Sequence, residues 1–203
     1  MLEYEENVHA FVEKYLGLDF SERYVDGAIE YNDSIIHYET IRRRQFNKII
    51  KIYKSEIMEN GDRRILDYGS GKGYILFLLK KTALFDVVDG VEILPELCEI
   101  AKTNMRAKKI NDVHIFNEDA RKFEKIDDYN TFFMFNPFPK EAIIEVVDRL
   151  QESLDRNDRK ICIIYINNVH EEQLLKRISG LRIRQEVIDL PRFGCKSTIY
   201  TNY

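Results

Sequence analysis

The chain of 203 residues has few cysteines and no long apolar run, and each of these absences excludes a class of protein. Cys98, Cys162 and Cys195 are odd in number, far apart in sequence and without Cys-x-x-Cys spacing. We therefore expect reduced thiols and neither a disulfide framework nor a metal site. No segment approaches the ~18 consecutive apolar residues of a membrane span, and the acidic N-terminus is unlike a basic signal region. These features predict a cytoplasmic protein with no membrane partner.

The sequence also lacks a positive net charge and a flexible linker. Its formal charge of -4 argues against a surface built throughout for nucleic acid, so such a partner is possible but not favoured. No stretch rich in serine, glycine and proline divides the chain, and no period recurs. With 44% hydrophobic residues, the chain can bury one α/β core. We expect one compact unit, with a helical cap or lid over residues 1–60 and a ligand-binding domain over residues 61–203.

The most informative stretch runs from Leu66 to Tyr74 and reads L-D-Y-G-S-G-K-G-Y. An apolar strand leads into an acid and then into three glycines spaced by two, where a ligand can approach bare backbone. The spacing is not the G-x-G-x-x-G of nicotinamide enzymes, because Tyr74 stands where the third glycine must pack. The phosphate-loop pattern G-x-x-x-x-G-K-[ST] is absent as well. A tight structural turn is the alternative interpretation.

The D-x-G-x-G-x-G pattern resembles the first motif of the class I S-adenosylmethionine-dependent methyltransferases. The resemblance implies that S-adenosyl-L-methionine is the cofactor and that five residues of this loop contact it: Asp67, Gly69, Ser70, Gly71 and Gly73. A second apolar strand, Asp86 to Ile93, contains Glu92 about 20 residues beyond the glycines, where an acid meets a ribose in nucleoside-binding sheets. The resemblance therefore assigns ribose binding to Glu92 and includes Ile93 in the cofactor site.

A third predicted strand, Val113 to Asp119, ends in acids. In the family, an acid at this place contacts the adenine amino group. The resemblance assigns that contact to Asp119, which the small residue Ala120 follows. Glu118 is the alternative, and a solvated loop carboxylate would explain either residue without a ligand.

Thr131 to Phe135 is a fully apolar strand, typical of a parallel sheet that is buried on both faces. It leads into Asn136-Pro137-Phe138-Pro139, which resembles the fourth motif [DN]-P-P-[FY] of the amino-methylating branch, with phenylalanine one place early. The Asn-Pro-Phe form is similar to small bacterial and archaeal methyltransferases, and more distantly to the Dot1-type histone-lysine methyltransferases. The resemblance implies that Asn136, Pro137 and Phe138 are catalytic residues and that Asn136 also borders the cofactor. A rigid turn at a strand end is the alternative.

Helices and strands alternate along the rest of the chain. Helices are predicted over residues 74–82, 95–109, 140–154 and 171–179, and further strands over residues 160–166, 181–188 and 195–201. Such alternation predicts a parallel sheet with helices on both faces, while the last two strands must pair antiparallel or lie apart. With the resemblance, this predicts a Rossmann-like α/β fold: a seven-stranded, mostly parallel sheet with a C-terminal antiparallel hairpin.

The N-terminal third is predicted to form two helices, over residues 3–16 and 41–57, joined by a segment rich in aromatic residues. Tyr31, His37 and Tyr38 are candidates for substrate contacts in a lid, although most such side chains serve packing. The second helix carries a basic stripe consisting of Arg42, Arg43, Arg44, Lys48, Lys51 and Lys54. The stripe is either a solvated helix face or a contact for RNA phosphates or an anionic small molecule.

The predicted function is methyl transfer from S-adenosyl-L-methionine to an unidentified nucleophile, with nitrogen favoured over oxygen. The open substrate classes are a metabolite or sugar, a protein side chain and RNA. One alternative is a cofactor-binding or adaptor protein that keeps the fold without methyl transfer. The other is a nicotinamide oxidoreductase, which the glycine spacing disfavours.

Overall fold

The computed structural model describes residues 18–20, 30–31, 34–35, 41–58, 63–188 and 196–203. The strands are β1 (Glu30–Tyr31), β2 (Ser34–Ile35), β3 (Arg64–Tyr68), β4 (Val87–Glu92), β5 (Ile115–Asn117), β6 (Thr131–Phe135), β7 (Cys162–Ile166), β8 (Arg182–Ile188) and β9 (Lys196–Thr201). The α-helices are α1 (Arg43–Ile52), α2 (Tyr74–Thr82), α3 (Pro95–Ala107), α4 (Lys140–Arg156) and α5 (Glu171–Arg177). Among these helices, none has the length and apolarity needed to cross a membrane.

Seven strands form one sheet in the order β5-β4-β3-β6-β7-β9-β8. The first five run parallel, whereas β9 pairs antiparallel with both β7 and β8. The predicted Rossmann-like fold, with its mostly parallel sheet and C-terminal antiparallel hairpin, is confirmed. The short strands β1 and β2 pair with each other in a separate two-stranded sheet.

The order of the parallel strands reverses at β3. From β3 the chain proceeds outwards to β4 and β5, and it then returns to form β6 on the other side of β3. The register pairs Asp67 of β3 with Gly90 of β4 and with Phe133 of β6. The chain segments that follow β3 and β6 lead to helices on opposite faces of the sheet. Ligands of open α/β sheets bind at such a reversal.

Apolar side chains cover both faces of the sheet, because neighbouring residues of a strand point to opposite faces. On one face, Leu66, Phe132 and Ile163 pack with the apolar stripe of α4. On the other face, Ile65, Phe133 and Ile164 pack with α1 and α2. Burial on both faces explains why the central strands read as continuous apolar runs.

Helix α1 buries the face that the sequence predicts. Phe46, Ile49, Ile50, Tyr53 and Ile57 are all buried, and their neighbours on the basic stripe are exposed. The last turns, Tyr53–Ile57, are π-helical, and the Met58 N–H donates to the carbonyl of Tyr53 at 2.8 Å. The first predicted helix, over residues 3–16, lies outside the described residues.

The third predicted strand is shorter than expected. We predicted a strand over residues 113–119, but β5 has three residues and pairs only with the last three of β4. The chain turns beyond it because the Asp119 carboxylate accepts the Arg121 N–H at 3.0 Å. The Lys122 N–H donates to the Asp119 carbonyl at 2.8 Å and continues that turn. An aspartate that bonds its own following backbone favours a turn over an edge strand.

Candidate functional site

The glycine loop, residues 69–73, connects β3 to α2 at the carboxyl edge. Gly69, Gly71 and Gly73 have φ angles of 73°, 52° and 80°, in the left-handed region that glycine adopts without a Cβ penalty. The N–H groups of Gly69 and Ser70 donate to the Val91 carbonyl at 2.8 and 3.1 Å. The Gly73 N–H donates to the Ser70 carbonyl at 2.9 Å. The loop is thus a tight turn bonded to β4, and its three glycines are required by backbone geometry.

The glycine loop touches the turn that follows β6. A Cβ added to Gly69 would lie 2.5 Å from the Cβ of Pro137, closer than two non-bonded carbon atoms can approach. On the other side, a Cβ on Gly90 would lie 2.6 Å from both Cβ and Oγ of Ser70. Gly90, within β4, is therefore a further glycine that the site requires, and it was not predicted from the sequence. A glycine inside a strand is the signal that points to such a close approach.

Glu92 joins the end of β4 to the glycine loop. Its Oε2 accepts the Gly71 N–H at 2.9 Å, and its Oε1 accepts the Leu94 N–H at 3.0 Å. Burial raises the pKa of this carboxyl, while the backbone N–H donors lower it and only partly offset the effect. Each carboxylate oxygen has a second lone pair, so both can accept one more hydrogen bond from a ligand hydroxyl.

Two other polar side chains at this edge are buried and have no hydrogen-bond partner within the described part of the chain. They are Asp67 at its Oδ2 and Ser70 at its Oγ. Burial, together with the nearby charge of Glu92, raises the pKa of Asp67 well above its usual value. Buried polar atoms in folded proteins are almost always bonded, so these atoms mark a place that a polar ligand would complete.

Asp119 lies beside the end of β4 in a turn held by Arg121. The Arg121 Nε lies 2.9 and 3.0 Å from the two Asp119 oxygens, and this guanidinium lowers the pKa of the carboxyl. Asp119 is half-buried, whereas the alternative residue Glu118 is exposed. Ala120 is buried in the apolar cluster beneath the turn.

An exposed apolar side chain accompanies this acidic turn. Ile93 is 38% exposed. The Asn117 side-chain amide donates to the carbonyls of Glu92 and Ile93 at 3.1 and 3.0 Å, and so holds the end of β4 next to the end of β5. An apolar surface beside hydrogen-bond acceptors suits a planar heterocycle that carries an amino group.

Asn136 follows β6 in an unusual backbone conformation. Its φ is 40°, and its N–H donates to the Ile166 carbonyl at 3.1 Å. Its Oδ1 is buried and lacks a hydrogen-bond partner among the described residues. Pro137 packs against Gly69, and the ring of Phe138 meets that of Tyr68 edge-on at 6.1 Å. The turn is thus fixed on both sides, while the side-chain Oδ1 of Asn136 remains able to accept a hydrogen bond.

The loop that follows β7 lies next to this turn and was not predicted as part of the site. Asn167 has φ 51°, and the next residue but one, Val169, is 61% exposed. Burial, and next the charge of Lys140 at the start of α4, lower the pKa of His170. The loop begins beside the Asn136 turn, because the Asn136 N–H donates to the carbonyl of Ile166, the last residue of β7. The signal for this loop was the pair Asn167-Asn168 directly after a buried strand.

The three N-terminal candidates for substrate contacts are not part of the described site. Tyr31 lies in β1, of which the backbone alone is described. His37 and Tyr38 lie outside the described residues. Their predicted role in a lid stays a prediction.

The chain matches the sequence profile of a known protein family. The profile of a family described as a methyltransferase domain matches residues 59–187, which include the glycine loop, Glu92, Asp119 and Asn136. No curated protein sequence matches the chain.

Solved structures match the fold at low sequence identity. A putative tRNA (m1A22) methyltransferase from Streptococcus pneumoniae is 16% identical, with a TM-score of 0.59 over 80% of this chain and 70% of that one. The magnesium protoporphyrin IX methyltransferase of Synechocystis PCC 6803 is 15% identical, with a TM-score of 0.58 over 78% of each chain. A mutant of MtNAS in complex with S-adenosylmethionine is 17% identical, with a TM-score of 0.56 over 77% of this chain. The match spans 61% of the length of MtNAS. At these identities the likeness shows the fold alone.

Proposed function

The chain belongs to the methyltransferase-domain family, and we propose that it uses S-adenosylmethionine to methylate a nitrogen nucleophile held at the Asn136 turn. The observation that carries this proposal is the contact between the glycine loop and the Asn136 turn at the strand reversal, with unpartnered buried oxygens on both. When bound, the cofactor supplies an electrophilic methyl group on a sulfonium. The protein then mainly has to hold and orient two molecules.

In this proposal the glycine loop and two strand ends hold the cofactor. The unpartnered oxygens of Asp67 and Ser70 suit the ammonium of its methionine part, because they are hydrogen-bond acceptors in a buried position. The carboxylate of Glu92, already oriented by two backbone N–H groups, accepts hydrogen bonds from the ribose diol. Ile93, Asp119 and Ala120 surround the adenine.

Asn136 is proposed to orient the acceptor. Its buried Oδ1 and the carbonyl of Pro137 accept hydrogen bonds from the acceptor N–H, and this aims the nitrogen lone pair at the methyl group. Phe138 packs beside the acceptor. Because a deprotonated amine needs no further activation, orientation is the main contribution of this turn. The positive φ of Asn136 supports the proposal, since such backbone strain is common at functional sites.

A hydroxyl acceptor is the second candidate, and His170 is the observation that favours it. A hydroxyl needs a general base, and burial lowers the pKa of this imidazole, so that it is neutral and able to accept a proton near neutral pH. Rates of methyl transfer by wild type and His170→Asn between pH 6 and 9 distinguish the candidates. A hydroxyl acceptor predicts a loss of tenfold or more in the variant, and an amine acceptor predicts little change.

Methyl transfer can be tested without knowing the acceptor. The full chain is incubated with S-adenosylmethionine labelled in the methyl group and with three separate pools from the source cells: small metabolites, RNA and protein. We expect label in one of them. Asn136→Ala should bind S-adenosylhomocysteine as the wild type does and transfer label at least tenfold more slowly, about 1.4 kcal/mol in the barrier. Asn111→Ala, in an exposed loop, is the control and should behave as wild type.

Two outcomes would contradict this proposal. If the wild type binds S-adenosylhomocysteine but labels no pool, the protein is a cofactor-binding or adaptor protein without methyl transfer. If Asn136→Ala loses cofactor affinity and rate equally, Asn136 supports the fold and does not orient the acceptor.

We also propose that the protein works in the reducing cytosol. Cys98 and Cys162 are buried and free. Burial raises the pKa of the Cys98 thiol to about 11, and it raises that of Cys162 further. Thiols of this kind stay protonated and behave as core residues, which supports the compartment expected from the sequence. Cys195 lies outside the described residues.

A further inference from the structure

A lysine in the glycine loop is almost entirely buried. Lys72 stands between Gly71 and Gly73, and it is 1% exposed. Lysine is among the residues that are least often buried, because removing an ammonium from water is costly unless the charge is paired. The Lys72 Nζ lies 3.0 and 3.1 Å from the two carboxylate oxygens of Asp19, a residue of the N-terminal segment 18–20.

Asn104 of α3 binds the same two residues through their backbones. Its side-chain amide donates to the carbonyl of Lys72 and to the carbonyl of Asp19, each at 2.9 Å. Its Oδ1 accepts the Asp19 N–H at 2.9 Å. One buried side chain thus ties the glycine loop to the N-terminal segment. We call Asp19, Lys72 and Asn104 the clasp.

The residues on either side of Asp19 are buried against the elements next to the loop. Leu18 and Phe20 form a small apolar cluster with Met105 of α3. The Phe20 ring lies 5.2 Å from that of Tyr74, the first residue of α2. The Cε of Met105 would lie 3.3 Å from a Cβ on Gly73, so this cluster reaches the end of the loop itself. Segment 18–20 is therefore attached by apolar packing as well as by polar bonds.

We propose that the clasp holds the glycine loop in the conformation that binds S-adenosylmethionine. Asp19, Lys72 and Asn104 are then positioning residues for the cofactor, although none of them belongs to the cofactor contacts named above. The inference rests on the proposed binding of the cofactor by this loop.

The physical reason is the loop's own flexibility. Glycine has the largest backbone entropy of any residue, so a loop with three glycines in left-handed conformations needs external bonds to fix it. The clasp supplies two such bonds at Lys72, one to its carbonyl and one to its ammonium. When the loop is ordered before binding, the free energy of cofactor binding does not include the entropy loss of ordering it.

Breaking the ion pair should displace the loop. Without the Asp19 carboxylate, the Lys72 ammonium loses a charged partner in a buried position and is driven towards water. Lys72 directly follows Gly71, so a shift of Lys72 is expected to disturb the Gly71 N–H that binds Glu92. A change at Asp19 is therefore expected to weaken cofactor binding through the loop.

The test is calorimetric titration of the full chain with S-adenosylhomocysteine. Binding by the wild type is measured first, because its absence would overturn the proposed function and not the clasp alone. Asp19→Asn should then bind at least tenfold more weakly. Asp112→Asn, which breaks the exposed pair between Asp112 and Lys80, is the matched control and should bind within about twofold of wild type.

A second variant shows whether Asp19 acts through Lys72. Adding Lys72→Met to Asp19→Asn removes the buried charge, and replacing both partners of a buried pair with uncharged groups is much less costly than removing one. The double variant should therefore bind more tightly than Asp19→Asn. If Asp19→Asn binds as wild type, or if the double variant recovers no affinity, the proposed role of the clasp is wrong.

Hydrogen exchange in the cofactor-free protein separates positioning from loss of overall stability. Asp19→Asn should speed the exchange of the Gly71 and Gly73 amides by tenfold or more and leave the amides of β6 and β7 unchanged. A purely structural role would instead speed exchange throughout the sheet, and affinity measured well below the unfolding temperature would stay that of wild type.

Discussion

Asp67 and Glu92 are two carboxyl groups buried near each other at the carboxyl ends of β3 and β4. Burial raises the pKa of both, and the charge of Glu92 raises that of Asp67 further. Two buried acids cannot both be charged without cost. A cationic ligand such as the methionine ammonium would relieve that cost, so the pair is better suited to the bound state than to the empty one.

The raised pKa of Asp67 predicts a pH dependence of stability. An acid whose pKa is higher in the folded state contributes stability that is present below its unfolded pKa, about 4, and is lost as pH rises through the folded pKa. The unfolding free energy of Asp67→Asn, minus that of wild type, should therefore rise as the pH is raised from 5 to 8. Denaturant unfolding of both proteins at each pH measures this difference in free energy. A difference that is constant or falls with pH would contradict the assigned burial.

A substitution at Gly69 tests the contact between the glycine loop and the Asn136 turn. Gly69→Ala places a methyl group on the Cβ of Pro137 in addition to straining a left-handed backbone. Gly180→Ala has the same strain, since its φ is 71°, but its nearest neighbour would lie at 3.8 Å. The control should cost about 1–2 kcal/mol of unfolding free energy, and Gly69→Ala about 1–3 kcal/mol more. Equal losses would mean that the turns are not in contact.

Candidate residues within the motifs could be named from the sequence, and residues that meet across long separations could not. Asn136 was named through the resemblance of Asn136-Pro137-Phe138-Pro139 to a family motif, and its role stays a prediction. Asp19 and Asn104 are 85 residues apart, and Asp19 and Lys72 are 53 apart. Their side chains belong to no local pattern, because their meeting depends on how segment 18–20 packs against α3.

At the scale of elements, α5 is bonded to the C-terminal hairpin by a buried polar network. The Asn168 Nδ2 lies 2.8 to 2.9 Å from oxygens of Glu171, Thr198 and Tyr200, which share its two hydrogens. The Tyr200 hydroxyl donates to Glu171 at 2.6 Å. The network fixes the loop that carries Val169 and His170 beside the Asn136 turn, and thereby shapes the proposed acceptor side.

Removing the centre of this network should destabilise the protein strongly. Asn168→Ala removes the amide that bonds the buried oxygens of Thr198 and Tyr200, whereas Glu171 keeps Tyr200 and Lys196 as donors. We expect a loss of about 1–3 kcal/mol in the free energy of unfolding. Lys176→Ala removes an exposed pair with Glu172 on the same helix and should change it by less than about 0.5 kcal/mol. Denaturant unfolding compares the two. A similar, small effect for both would show that the network does not hold the hairpin.

Elements with a strong apolar pattern were predicted within a few residues. Strand β6 and helix α2 have the predicted bounds because their apolar residues define them. Strand β5 was predicted too long, since an edge strand is ended by the turn chemistry of Asp119 and not by its apolar pattern. The π-helical turn of Tyr53–Ile57 has no signal in the sequence that we recognised.

At the scale of the whole molecule, the alternating pattern predicted the parallel sheet, and the resemblance supplied the hairpin. The sequence alone could not give the strand order, because it depends on which side of β3 each later strand joins. That order brings the glycine loop and the Asn136 turn together at one reversal. The division of the chain into a cap over residues 1–60 and a domain over 61–203 stays a prediction.

Calorimetric titration with S-adenosylhomocysteine tests whether the glycine loop and Glu92, at this strand reversal, bind S-adenosylmethionine. We expect one site per chain and a binding free energy weaker by about 1.5–3 kcal/mol in Glu92→Ala. We expect no binding by Gly71→Arg, whose side chain would block the approach to the loop backbone, while circular dichroism shows that this variant is folded. A folded wild-type protein that does not bind, or a Gly71→Arg variant that binds as tightly, would contradict the proposed cofactor site.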